Sequence, residues 1–569
     1  MSTRTTPSVF EGSDPTKTTL ASVQRQLGGK TFRNIEGFYS KYFEGQPWSA
    51  VVEEKLRHRK AVKVLNKLSP DLSAIGDFST IADWLADFQN LFFQPNQDNF
   101  HWHTHQLSRK NEIVRTGVSL EISDTTCIAG STRVFGVVYH TSGRIIPDDE
   151  DDTQLLHARA QQIFSSQPAR CFVHGFMVRG PILELWVIDR AGAYSSGKLN
   201  LVGRPDLFVH VLAGYTLMSD AEAGLNTFVK RLSSGADSHV NFDEVGRFDL
   251  HPKLIATADY IVGPGTTCYV ASDHSVQPKT DVVVKFSWRA DEDFTEARIM
   301  EKARDRKTWG TVKLVAQEDL ASMADIRQGL RFPQKFENQM FSCMVTAPFG
   351  RPIRLFSSIS ELLEALRDLV KALKSLYLDA GILHRDIAIK NLIIAPQINR
   401  DDPKGVLIDF NFALDLDDKN YVHQVVGSDG FMAIGVLWGD RHTYRHDLEA
   451  LFYVFLWFAI ANDRVHDHGT EIMQGLPEAS RLRQWCSMDF LAVGKAKLAD
   501  MEPEGFEMIL KEFSTPFVHL TGLARELHAL LFPVRGGETF IDTDTDASDV
   551  QRLYDGMAKT FDAKAQALR

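Results

Sequence analysis

The chain has 569 residues, too many for one hydrophobic core, so two to four domains are expected. Hydrophobic residues make up 44% and charged residues 24%, the balance of an ordinary globular protein, and the net charge of -11 argues against general affinity for nucleic acid or anionic membranes. The five cysteines, Cys127, Cys171, Cys268, Cys343 and Cys486, are widely spaced without a CxxC pair, which argues against a disulfide framework or zinc cluster and for a reducing, intracellular compartment, cytoplasmic or nuclear.

Residues 1–30 are rich in Thr and Ser, lack the apolar core of a signal peptide, and read as disordered. Residues 31–119 read as mostly helical, with VEEKLRHRKAVKVLNKLSP stopped by Pro70 and IADWLADFQNLFF stopped by Pro95. Within them, HWHTH puts three histidines on one face if extended; without a paired ligand cluster it reads as a polar segment rather than a metal site. Residues 120–249 change texture. RVFGVVYHT, RCFVHGFMVRG and PILELWVIDRAG read as strands, the last two flanking a Gly180-Pro181 turn. The acidic run 148–152 reads as a solvated linker, and FVHVLAGYTLMSD as a helix. Such an apolar, strand-rich region needs a cover, and we expect it to brace the unit that follows. From Leu250 a strand-rich unit runs to about 350 and a helix-rich unit to about 540, with residues 541–569 as a tail. LFYVFLWFAIA, Leu451 to Ala461, is too short to span a bilayer and reads as a buried helix. No membrane segment is expected.

Phosphoryl transfer needs groups that hold phosphates, hold Mg²⁺ and orient the attacking hydroxyl. Each has a candidate, in the expected order. ILHRDIAIKNLIIA contains His384-Arg385-Asp386 with Asn391 five residues after the Asp. Asp386 would accept the hydroxyl proton, Asn391 would offer an amide oxygen to Mg²⁺, and Lys390 would place a cation near the transferred phosphate. VLIDFNFALDL holds Asp409-Phe410-Asn411, with Asp409 as the second metal ligand and Asn411, tolerant of a left-handed backbone, where Gly is usual. IVGPGTTCYV supplies Gly263 and Gly265 as a phosphate turn, with Cys268 in place of a third Gly and Val270 beyond it. Lys285 closes the apolar strand DVVVKF fifteen residues after Val270 and would neutralise the α- and β-phosphates. Glu296, at the start of a helical pattern, is preferred over Glu301 and Glu292 as its partner. Cys268 reads as a small residue replacing Gly rather than a redox thiol. In GSDGFMAIG, Gly427, Ser428 and Ala433 match the end of an activation segment, while Ile434-Gly435 stand where Pro-Glu is usual. Asp415, Asp417 and Asp418 are either partners of Arg385 or a solvated loop. Asp447 opens an apolar helix, as a buried acceptor, an N-cap, or both.

Together these segments resemble the fungal-type protein kinase family, a divergent branch of the protein-kinase fold. GS-x-x-FMA and HDLEALFYV carry the resemblance most specifically, with LELWVIDRAGAYSS upstream and VTAPFGRPI as the interlobe hinge; it covers about residues 170–470. The resemblance implies an α+β, bilobal fold with a β-rich N-lobe and helical C-lobe, preceded by a helical and β-rich extension. It implies ATP and Mg²⁺ as ligands and transfer to a protein hydroxyl, and within the kinase fold an Asp at position 447 is buried and accepts catalytic-loop N–H groups. Ala388 stands where serine/threonine kinases carry Lys, and Lys390 resembles the tyrosine-kinase arrangement. The missing Pro-Glu bears on docking of a polypeptide substrate. A pseudokinase scaffold and a small-molecule kinase are the alternatives; Arg385 argues against the latter, which usually has Gly there.

Overall fold

The computed structural model describes residues 20–57, 78–92, 100–107, 117–124, 132–139, 150–202, 204–231, 238–274, 280–290, 296–419, 423–461 and 475–569. The fold is mixed, with several sheets and many helices, as an α+β protein requires. The first sheet contains β1 (Thr31–Phe32), β2 (Phe100–Leu107), β3 (Gly117–Asp124), β4 (Val134–Tyr139), β5 (Phe172–Arg179), β6 (Ile182–Asp189) and β7 (Gly192–Asn200). Its order is β1-β7-β6-β5-β4-β3-β2. Gly180, at φ 56°, makes the β5–β6 turn expected from Gly-Pro, with Arg179 opposite Ile182. β4 and β5 run parallel, joined by the helix Glu150–Ser166.

Both faces of this sheet are covered, so its central strands are apolar on successive residues rather than alternately. Phe38, Val52, Phe88 and Val209 pack on one face; Leu27, Leu156 and Ile163 pack on the other. Three expectations change here. Leu20–Leu27 is a helix with Val23 and Leu27 buried, although disorder was expected to residue 30; residues 1–19 lie outside the described ones. The region 31–119 has helices Phe38–Phe43, Ser49–Leu56 and Phe78–Phe92, but it also gives β1 and β2 to the sheet. HWHTH is part of β2, where Trp102 turns into the core and His101 faces out, and β2 pairs with β3 across the expected boundary. Of the acidic run, residues 150–152 belong to the helix Glu150–Ser166, and 148–149 lie outside the described residues. Much of the Val52–Pro70 segment lies outside the described residues, which end Ser49–Leu56 just past its start.

The second sheet is antiparallel: β8 (Lys230–Arg231), β9 (Ser238–Phe242), β10 (Gly246–Ala256), β11 (Thr267–Asp273), β12 (Thr280–Ala290), β13 (Lys313–Ser322) and β14 (Gln339–Ala347), ordered β13-β14-β12-β11-β10-β9-β8. It begins at Lys230, so the expected division at 249/250 cuts through its β10. The helix Glu296–Asp305 connects β12 to β13.

Beyond Ala347 the chain is mainly helical. Three strands, β15 (Arg351–Pro352), β17 (Leu392–Ile394) and β18 (Gly405–Leu407), form one small sheet; β16 (Ile382–Leu383) and β19 (Leu414–Asp415) form another. The helix Tyr444–Ala461 is buried at all 18 positions and centres the apolar core. No helix among the described residues is long and apolar enough to cross a membrane. The expected tail belongs to this core. Val550, Tyr554, Met557, Phe561 and Ala565, spaced three or four apart in the helix Ala547–Ala567, are buried in it. Lys374 pairs with Asp555 at 2.6 Å and Arg367 with Asp562 at 2.7 Å, tying it to Ile359–Ala380.

One buried ion pair joins the two large sheets. Asp189, at the end of β6, accepts two hydrogen bonds from the Arg327 guanidinium, at 2.8 and 2.7 Å, in the turn after β13. Their side chains are 0% and 1% exposed, and Tyr194, Phe332 and Phe336 ring the guanidinium. Removing one partner of such a pair leaves an uncompensated buried charge and costs about 3–5 kcal/mol. Asp189→Ala should lose that much stability in urea unfolding, while Asp189→Leu combined with Arg327→Met recovers most of it. An Asp189→Ala protein within about 1 kcal/mol of wild type would contradict the assignment.

Candidate active site

Strand pairing sets Lys285 on the face of β12 that also carries Val283. Lys285 lies opposite Cys268 on β11, and Val283 opposite Val270, so all four residues share one face. Lys285 Nζ donates to Glu296 Oε2 at 2.8 Å and stands 3.5 Å from Asp409 Oδ1. Glu296 also accepts the Phe410 N–H at 3.0 Å through Oε1, so one carboxylate fixes both the lysine and the Asp409-Phe410 backbone. Burial opposes the charge on Lys285, but Asp409 and Glu296 outweigh it and raise its pKa. For Asp409 burial is likewise outweighed, by Lys285, Lys390 and His384, and its pKa falls. Burial raises that of Glu296, partly offset by Lys285. Glu301 is exposed and takes no part in this contact; Glu292 lies outside the described residues.

Asp386 is almost fully buried and both its oxygens are engaged. Ser428 Oγ donates to Oδ1 at 2.6 Å, and Asn391 Nδ2 donates to Oδ2 at 2.9 Å and to the Asp386 carbonyl at 2.8 Å. Lys390 Nζ lies 3.6 Å from Oδ2. Because the Asn391 amide nitrogen is turned to Asp386, its side-chain oxygen points elsewhere. Asn391 and Asp409 flank one end of the β17–β18 ladder, where Ile408 N–H donates to the Asn391 carbonyl at 3.0 Å. An amide oxygen and a carboxylate there suit a hard cation such as Mg²⁺, which takes few protein ligands and completes its shell with phosphate and water. Among the described residues no group of three or more His, Cys, Asp or Glu could hold a metal by itself.

The backbone that carries these side chains is fixed from below. Asp447 accepts the His384 N–H and the Arg385 N–H, each at 2.9 Å, and His442 Nε2 lies 2.9 Å from it. Burial works against its charge, but His442 and the backbone donors hold its pKa below the usual carboxylate range. It is thus a buried acceptor, as expected. Arg385 and Asp409 take left-handed φ values of 66° and 64°. The strained position in Asp-Phe-Asn is therefore Asp409 itself, and Asn411 does not need the glycine-like conformation expected of it.

Two segments make contacts that the sequence did not display. Gly263 and Gly265 sit in the connection 257–266 between β10 and β11. That connection is held against the first sheet. Gly263 N–H donates to the Arg190 carbonyl at 3.0 Å, Arg190 Nη1 donates to the Tyr260 carbonyl at 2.6 Å, and Ile261 is buried among first-sheet side chains. A Cβ on Gly265 would meet Arg190 Nε at 2.7 Å, so the glycine makes room for a buried guanidinium. In the acidic stretch Asp415 and Asp417 bind Lys302, on the same helix as Glu296, with Asp417 largely exposed, and Arg385 Nε donates to the Phe412 carbonyl at 2.8 Å. Burial pushes the Cys268 thiol up to about 12, as for a packing residue and not a reactive thiolate.

The profile described as fungal protein kinase matches residues 145–459, more than half of the chain. The chain belongs to the fungal protein kinase family. A comparison with curated proteins returned no match. The fungal protein kinase match takes in Lys285, Glu296, Asp386, Lys390, Asn391 and Asp409, and also Asp189 and Arg190, each of which ties the first sheet to a later segment. Sequence reasoning missed the tie from Ser428 to Asp386, although Gly427-Ser428 signalled it. It also missed Glu449 and Lys497, which hold the main chain just beyond Ser428. Glu449 stood out as an acid beyond the first turn of an apolar helix, whereas Lys497 had no local signal.

Asp447→Asn keeps the shape but offers one acceptor oxygen to two buried N–H groups and turns an NH₂ toward the other. It should destabilise the protein by about 2–4 kcal/mol, read from urea unfolding. Stability within about 0.5 kcal/mol of wild type would mean that the His384-Arg385 backbone is not held this way.

Proposed function

We propose that the chain is an ATP- and Mg²⁺-dependent protein kinase that transfers the γ-phosphate to a protein Ser, Thr or Tyr hydroxyl. In this reading the second sheet, with Glu296–Asp305, is the N-lobe, the helical part beyond Gly350 is the C-lobe, and the first sheet is an extension bracing the N-lobe. The observation that carries it is the Lys285 ammonium shared between Glu296 and Asp409, with Glu296 also bound to Phe410 N–H. A strand residue, a helix residue and a C-lobe carboxylate then converge beside Asp386, Asn391 and Lys390.

Lys285 binds the α- and β-phosphates, and Glu296 keeps it aimed at them. Val270 and Val283 offer an apolar roof to the base. Asn391 and Asp409 would hold Mg²⁺, which when bound offsets charge on the phosphate oxygens. Asp386, its carboxylate oriented by Ser428 and Asn391, accepts the proton of the acceptor hydroxyl as that oxygen bonds to the γ-phosphorus. The bond to the β–γ bridging oxygen breaks and ADP leaves, while Lys390 faces charge developing on the transferred group. A second reading, a pseudokinase scaffold, has one observation in its favour: the Gly263–Gly265 turn is engaged with Arg190 of the first sheet.

Transfer of labelled phosphate from ATP, with Mg²⁺, to the protein itself and to mixed protein substrates separates the two. Wild type should transfer, and Asp386→Asn should fall by at least ~100-fold with ATP affinity retained. No transfer by wild type across broad mixtures would favour the scaffold.

A further inference from the structure

The stretch from Gly427 to Leu437 carries Ser428, which orients Asp386, and it has Ile434-Gly435 where Pro-Glu is usual. Its main chain is held instead by two buried charges. Lys497, in the helix Phe490–Met501, is 0% exposed, and its Nζ donates to the carbonyls of Gly430 at 2.9 Å and Met432 at 2.6 Å. The ammonium packs 4.2 Å from the centre of the Tyr453 ring and 5.0 Å from that of Trp485. Glu449, in Tyr444–Ala461, is also 0% exposed and accepts the Ile434 N–H at 2.7 Å through Oε1. Tyr453 OH donates to that same oxygen at 2.7 Å, and Arg445 donates to the other at 2.6 Å.

Alternate residues 430, 432 and 434 therefore each give one main-chain group to a buried side chain. A lysine kept only for packing would be replaced with less desolvation by an apolar chain of similar length. Lys497 instead spends both hydrogen bonds on this stretch. Burial pushes its pKa down to about 7, yet the neutral amine still has two N–H groups for the two carbonyls.

We propose that Lys497 and Glu449 form a built-in clamp that keeps Gly430–Ile434 in the shape that docks the acceptor polypeptide, in place of the missing Pro-Glu pair and without phosphorylation of the segment. Lys497 is a positioning residue, since it acts through the main chain it holds. The inference rests on the kinase reading above, but the clamp can be tested apart from turnover.

Hydrogen exchange of phosphatase-treated wild type reads the clamp directly. The Ile434 amide should exchange at least ~100-fold more slowly than an unprotected amide. Lys497→Met keeps the stem and removes the donors. It should speed exchange across 430–437 by ~10-fold or more, leaving Ile359–Ala380 unchanged. In steady-state kinetics it should raise KM for a protein acceptor ~10-fold while KM for ATP moves less than about twofold. A wild-type stretch that exchanges like an unfolded peptide overturns the clamp, and so does a folded variant with unchanged protection and acceptor KM. If the variant fails to fold, the wild-type exchange decides. Absence of any transfer by wild type would count against the kinase reading, and exchange would still report whether the clamp exists.

Discussion

Burial works against the positive charge on Lys285, and the groups around it are arranged to keep that charge. Two carboxylates from different parts of the chain make the charge tolerable: Glu296 in direct contact and Asp409 slightly farther away. The dependence is mutual, since either carboxylate would be expensive to bury without the ammonium. Through the Phe410 N–H, Glu296 extends the coupling into the backbone next to Asp409. A second sheet that contributes Lys285 and a helical part that contributes Asp409 are thus registered by one shared proton donor.

The same device recurs away from the site. Asp189 and Arg327 join the two large sheets, Asp447 pins the His384-Arg385 backbone, and Glu449 and Lys497 hold the stretch beyond Ser428. Each puts a charge where solvent cannot reach it, so each is satisfied by a partner at hydrogen-bond distance. Apolar packing supplies cohesion but has little directional preference. The buried charges add direction, and they lie at the joints between elements rather than within them. The arrangement suits a site whose chemistry requires a carboxylate, a lysine and an amide from separate segments to meet within a few ångströms.

Proximity among residues close in the chain was legible in the sequence. Asp386 and Asn391 are five residues apart because one tight loop must present both, and Asp409 follows where the next strand ends, so the spacing itself carried the information. Lys285 and Glu296 were legible because a strand end and a helix start leave local patterns. The contact of the glycine turn with Arg190 was hidden because the two lie some seventy residues apart and sequence does not display such pairing. The tail looked separate for a similar reason: its apolar stripe was present, but the helix it packs against begins at Ile359. β2 was missed because a short polar strand with histidines resembles a loop until Trp102 is seen facing the core. Long-range pairing also hid Lys497, a lone lysine on an unremarkable helix.

The central claim is that Lys285, Asp409 and Asn391 form a site for nucleotide with Mg²⁺. Calorimetric titration of the full chain with ATP, with and without Mg²⁺, tests it most directly. The account predicts binding that Mg²⁺ strengthens, with the Mg²⁺ dependence largely lost in Asp409→Asn. Absence of ATP binding under either condition, or a Mg²⁺ dependence that Asp409→Asn leaves intact, would contradict it.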